Sequence, residues 1–184
     1  MPTAIALIRA INVGGKNSLP MESLRKLCES VGLSDVRTYI QSGNVVFRAA
    51  SRDIAAASGK LEDAIEAERG FRPAVVIRTR DELAATIEAN PFAARAKSDP
   101  SKLLLMYLRD YPAAGAADAI QQVKRESEEL QLIGRELFID FPIGIGKSKL
   151  AIAAVERALG VAATSRNWNT TLKLLAMTDE LGRE

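Results

Sequence analysis

The chain has 184 residues, 47% of them hydrophobic and 26% charged, with a net charge of +2; this is the profile of a folded globular protein with room for one large domain or two small ones. It contains no histidine and a single cysteine, Cys28, which excludes His-based nucleophile systems, imidazole-ligated metals, multi-cysteine zinc or iron–sulfur centres and an internal disulfide. The N-terminal stretch lacks a basic leader, and no apolar run approaches the roughly 20 residues of a membrane span, so a cytoplasmic protein without metal or cofactor is expected.

The first element is a strand over 3–11, TAIALIRAI, apolar on both alternating faces and therefore central in a sheet covered on both sides. A glycine loop, INVGGKN, follows. The next stretch, 20–32, repeats Met21, Leu24, Leu27, Cys28 and Val31 at helical spacing, with Pro20 at its start and Gly32 as its stop. Cys28 lies on the apolar stripe and reads as a small core residue. DVRTYIQSGNVVFRA is two strands turning at Ser42-Gly43-Asn44. Residues 53–70 form a helix ending at Gly70, and 72–79 a further strand. Strand, helix, strand, strand, helix, strand is the βαββαβ order of the ferredoxin-like fold.

The order then repeats. After a short helix over 81–89 and a Pro-containing linker to 101, KLLLMYLRD is again a strand apolar on both faces. A helix is expected around 113–127, a hairpin over 129–141 turning at Gly134-Arg135, a helix closed by Gly160, a short strand near 163–166 and a terminal helix. The expected architecture is α+β, with two tandem ferredoxin-like domains at 1–80 and 102–184 joined by 81–101. Ferredoxin-like sheets carry helices on one face only. The open faces are therefore expected to be buried against each other or in a homodimer.

Three polar loops are candidate sites. In INVGGKN, Gly14 and Gly15 can adopt positive φ, so their amides could form an anion nest ahead of a helix N-terminus, with Lys16 and Arg9 adding charge. A turn that needs two glycines, with a solvated lysine, explains the same residues. In FPIGIGKSKL, Gly146-Lys147-Ser148 stands between a strand and a helix, but a P-loop requires glycine five positions before Gly146, and position 141 is Phe. What remains is a shorter glycine loop, with Lys147 and Lys149 as cations and Ser148 as a candidate N-cap. In TSRNWNTTLKL, Arg166, Asn167, Asn169, Thr170 and Lys173 surround the only tryptophan, Trp168, which would either anchor the last helix or stack on a ligand. Asn169 or Thr170 is expected to cap that helix. Gln41, Ser42 and Asn44 serve the hairpin turn unless they border the first glycine loop in space.

These loops hold cations, amides, hydroxyls and glycines, almost without carboxylates, a set suited to an anion, a phosphate or a nucleobase edge. A base-stacking sheet surface is disfavoured, since Phe47 is the lone aromatic on the relevant strands; phosphate-backbone contacts stay open.

INVGGKN followed by Pro-Met, TYIQSGNVVF, the GKSKL segment and RNWNT, in this order over about 3–178, resemble the bacterial family catalogued as domain of unknown function 1697. The resemblance implies two tandem ferredoxin-like domains and no assigned activity. The motif positions are Asn12, Gly14, Gly15 and Lys16; Tyr39, Gln41, Ser42, Gly43 and Asn44; Ser148, Lys149 and Leu150; and Arg166, Asn167, Trp168 and Asn169. The leading expectation is a binding protein for a phosphate-bearing or otherwise anionic small molecule, held in a groove between the domains. The alternatives are an enzyme using Tyr39 or Lys149 in acid–base chemistry, and a structural oligomerisation module.

Overall fold

The computed structural model describes residues 1–184. It is an α+β protein with two four-stranded antiparallel sheets and seven α-helices, falling into two compact units, 1–85 with 173–184, and 86–172. The expected division placed the whole terminal helix with the second domain. Instead Lys173–Glu184 belong to the first unit.

In the first unit the order is β1 (Thr3–Ile8), α1 (Met21–Ser30), β2 (Ser34–Tyr39), β3 (Asn44–Arg48), α2 (Ser51–Arg69) and β4 (Val75–Thr79), and the strands lie β2-β3-β1-β4. One face, with Ala4, Ala6, Ile8, Val45, Phe47 and Val75, packs on Leu24, Leu27 and Cys28 of α1 and Ile54, Ala57, Leu61 and Ile65 of α2. Gly70 closes α2 in the left-handed conformation at φ 74°, the geometry that glycine adopts without a Cβ penalty. Burial pushes the Cys28 thiol up to about 12, so it is a packed, inert group. On the other face Ile5, Leu7, Val46 and Val76 are also buried. The end of α7 (Trp168–Arg183) lies along that side: Arg48 donates to the Leu181 carbonyl, and Arg80 pairs with Asp179 at 2.7 Å.

β4 runs straight into α3 (Arg80–Glu88) through a capping box. The Thr79 hydroxyl accepts from the Glu82 amide at 3.2 Å, and the Glu82 carboxylate accepts from the Thr79 amide at 2.8 Å. The segment expected as a linker contains α4 (Ala93–Ser98) and a short 3-10 turn at Pro100–Lys102.

The second unit repeats the plan with β5 (Leu103–Leu108), α5 (Ala116–Gln121), β6 (Glu129–Ile133), β7 (Glu136–Asp140), α6 (Ile152–Leu159) and β8 (Ala163–Asn167), in the order β6-β7-β5-β8. The expected short last strand is a full partner of β5. The expected helix over 113–127 is shorter because Arg125 folds back and donates to the Ile120, Gln121 and Val123 carbonyls, satisfying the end of α5. Met106, Leu108, Leu137 and Ile139 pack on Ile120, Val155 and Leu159. On the opposite face Leu105, Tyr107 and Phe138 have no exposure, and the first turn of α7 supplies Thr171, whose hydroxyl meets the Tyr107 hydroxyl at 2.9 Å. The second faces of both sheets are thus buried in the single chain. A homodimer through them would first have to uncover them.

The repeat extends to individual bonds. The Ile8 amide donates to Gly43 O and the Arg9 amide to Ala74 O, while the Leu108 amide donates to Arg135 O and the Arg109 amide to Ala162 O. Arg78 stands opposite Ile5, and Arg166 opposite Leu105.

Candidate functional site

β1 ends at Ile8, three residues earlier than expected, because Ala10 turns to φ 52° and Asn12 to φ 56°. The glycine loop is a miniature hairpin. The Lys16 amide donates to the Val13 carbonyl at 3.1 Å and the Asn12 amide to the Asn17 carbonyl at 3.1 Å. Gly14 and Gly15 sit at φ 59° and 73°, the paired positive φ of a type I′ turn. Their amides have no acceptor in the chain, and the Lys16 ammonium has no ion-pair partner. One expectation is corrected here: the loop does not deliver its amides to a helix N-terminus, since α1 begins five residues after Lys16, at Met21, with Pro20 at its N-cap.

Asn12 ties this loop to the neighbouring hairpin. Its side-chain amide donates to Leu19 O at 2.9 Å and to Gln41 O at 3.0 Å, and its carbonyl accepts from the Leu19 amide at 2.8 Å. Asn17 adds a bond to Ala10 O. The β2–β3 turn therefore does border the glycine loop, the condition under which its residues count toward a site. Gly43 is packed so tightly that a Cβ there would lie 2.8 Å from Ile8 O. Asn44, fully buried, holds the turn by donating to Tyr39 O and Ser42 Oγ, both at 3.0 Å.

The cluster holds four of the five non-glycine residues with positive φ in the chain: Ala10, Asn12, Asn17 and Ile40. Asparagine tolerates this conformation, but a β-branched isoleucine at φ 49° is an outlier. Ile40 and Val13 are exposed. Sequence reasoning missed both, because neither residue type signals a turn. Arg9 is half-buried and interacts within the chain.

The GKSKL loop has a different character. Lys147 is exposed at the end of a 3-10 turn, and α6 begins only at Ile152, with Ala151 at its N-cap position and no side-chain cap from Ser148 or any other residue. Ser148 instead accepts from the Leu150 amide and donates to the buried Glu128 carboxylate. That bond, with backbone amides of 126–128, holds Glu128 below the usual carboxylate range. Lys149 faces Glu126 at 3.4 Å and is largely exposed, so it is not the desolvated lysine that acid–base catalysis would need. Glu126 and Glu128 bring to this loop the carboxylates that the motif itself lacks. Nothing in RESEEL marks them in advance.

In RNWNT the side chains of Arg166, Asn167 and Trp168 are engaged within the chain. Trp168 is buried, its ring 6.4 Å from that of Phe138, and offers no open stacking face. Asn167, rather than Asn169 or Thr170, caps α7 by accepting from the Asn169 amide at 2.9 Å. Asn169 is exposed. Arg166 is buried and donates to Thr164 Oγ1 at 2.8 Å and Ser165 O at 2.7 Å. Burial lowers its pKa to about 10, against a raising influence from Tyr107, so it stays charged at neutral pH.

Two clefts lie outside the INVGGKN and RNWNT loops, the second reaching FPIGIGKSKL only at Pro142. One of about 360 Å³ in the first unit contains Arg80, Asp179 and Arg183. One of about 330 Å³ in the second contains Arg95, which pairs with Glu129 at 2.6 Å and Asp140 at 2.7 Å. In both, carboxylates already occupy an arginine. No helix is long and apolar enough to cross a membrane.

The fold matches a solved structure of a conserved bacterial protein, SP0830 from Streptococcus pneumoniae, with a TM-score of 0.76 and 24% identity over 96% of this chain and 98% of that one. No curated protein matches. A family model described as "Protein of unknown function (DUF1697)" matches residues 1–138, which carry both the glycine loop and the hairpin turn bonded to it, and the chain belongs to that family.

Proposed function

We propose that the protein is a cytoplasmic binding protein built on two ferredoxin-like units, and that the loop cluster of the first unit, Arg9–Leu19 with Tyr39–Asn44, recognises a phosphate-bearing or otherwise anionic ligand. The antiparallel order β2-β3-β1-β4, repeated as β6-β7-β5-β8, supports the fold. One observation carries the function: two adjacent unbonded amides, of Gly14 and Gly15, stand beside the unpaired Lys16 ammonium, and residues 9–20 and 36–50 include no carboxylate. Backbone amides and an ammonium make charge-assisted bonds to oxyanions, roughly twice as strong as neutral ones. The strained residues around the tip are fixed by Asn12 and Gly43, which is how sites held in advance of their ligand are built.

A thermal-shift series with inorganic phosphate, pyrophosphate, nucleotides and phosphosugars tests this reading. A ligand at 100 times its dissociation constant stabilises by about 2.7 kcal/mol, about 5–10 °C for a chain of this size. Binding predicts such a shift in the wild type and its loss in Lys16→Ala, with Lys149→Ala unaffected. No shift with any anion, or one that survives Lys16→Ala, would contradict the proposal.

A further inference from the structure

We propose that the anion met by the Val13–Lys16 turn is a carboxylate or phosphate displayed on a partner protein, at the rim of an apolar groove that the turn enters. This rests on the anion-recognition reading above and names the class of its ligand.

Shape comes first. Small-molecule sites are concave and bury most of their ligand. The turn is the reverse. Residues 13–18 are all exposed, and a Cβ at Gly14 or Gly15 would find nothing within 4 Å. A projecting tip encloses nothing, but it fits a concavity on something larger.

Chemistry selects the partner. Val13 is 63% exposed and Ile40 53%, and apart from the N-terminal Met1 they are the large apolar side chains that the first unit leaves in water. The bonds from Asn12 to Leu19 O and Gln41 O place them in one cluster. The fold does not require isoleucine at position 40; asparagine or glycine would accept its left-handed backbone without strain. A strained, exposed isoleucine beside an exposed valine, with Lys16 at the edge, has the composition of a protein interface, apolar at its centre and charged at its rim. A nucleic-acid surface would need a row of cations tracking successive phosphates. The glycine turn has one, Lys16.

The test places a photo-crosslinking benzoylphenylalanine at Val13 of the full chain in its own host, with Leu172, exposed on α7, as the control position. The captured protein is then purified and titrated against wild type, Lys16→Glu and Ile40→Asn. The proposal predicts a discrete nuclease-resistant protein adduct at position 13 and none at 172. It also predicts at least tenfold weaker binding by each variant at unchanged or higher thermal stability. A nuclease-sensitive adduct, no discrete adduct, or affinity indifferent to Lys16→Glu would overturn it. If pyrophosphate stabilises the wild type through Lys16 while no protein adduct forms, anion recognition stands and only the partner class fails.

Discussion

Gly43 and Gly15 make a matched pair for testing how the hairpin turn is locked to the leading strand. Both are left-handed, at φ 75° and 73°, and an alanine pays about 1–2 kcal/mol for that conformation at either position. They differ in surroundings. A Cβ on Gly15 meets nothing, whereas one on Gly43 would stand 2.8 Å from Ile8 O and 3.0 Å from Ile11 Cδ1 and Ile8 Cβ. Ile8 O belongs to the backbone of a central strand, so relief requires the turn to move, which weakens the 2.8 Å bond from the Ile8 amide to Gly43 O. Forcing extra atoms into such a site adds roughly 1–3 kcal/mol. Gly15→Ala should therefore lose about 1–2 kcal/mol and Gly43→Ala about 2–5 kcal/mol. Urea denaturation followed by circular dichroism reads both, with the slope checked for constancy. Equal losses, or a milder loss for Gly43→Ala, would refute the claim that close packing rather than backbone conformation dictates glycine at position 43.

Asn12→Ala removes three side-chain hydrogen bonds and leaves alanine at φ 56°; a destabilisation of about 2–4 kcal/mol is expected from urea titration. Ile40→Asn should raise stability by up to about 1 kcal/mol by relieving strain, measured the same way. Glu128, whose carboxyl is held down first by the Ser148 hydroxyl, contributes stability that is present above its unfolded pKa and lost as the pH falls through the lower folded value. Thermal midpoints from pH 7 to 3 should therefore fall less steeply on the acid side for Glu128→Gln than for wild type. Cys28, with its thiol pushed up to about 12 by burial, should resist Ellman's reagent at pH 8 in the native protein and react fully in denaturant.

The elements themselves were legible because their signals are local. Gly70 and Gly160 read as helix stops, and both take the left-handed conformation at φ 74° and 69°. The helical spacing around Cys28 correctly placed it in the core. What escaped depends on distant partners. Residues 113–127 have helical composition, but Arg125 ends α5 at Gln121 by folding onto its carbonyls. Periodicity gives α7 an apolar stripe without saying which sheet it covers. The polar character of GKSKL was visible, and the Glu126 and Glu128 carboxylates that answer it were not. The Thr79–Glu82 capping box has a local signature, Thr-x-x-Glu, but it overlaps the stronger strand pattern of 72–79.

The most direct measurement is an amide-resolved ¹⁵N NMR titration of the full chain with inorganic pyrophosphate at constant ionic strength. Recognition of an anion by the first glycine turn predicts saturable shifts at the amides of Gly14, Gly15 and Lys16, spreading to Asn12 and Gln41, and lost in Lys16→Ala. Saturable shifts centred instead on Gly146–Lys149, or no saturable shift at the Val13–Lys16 turn, would contradict it.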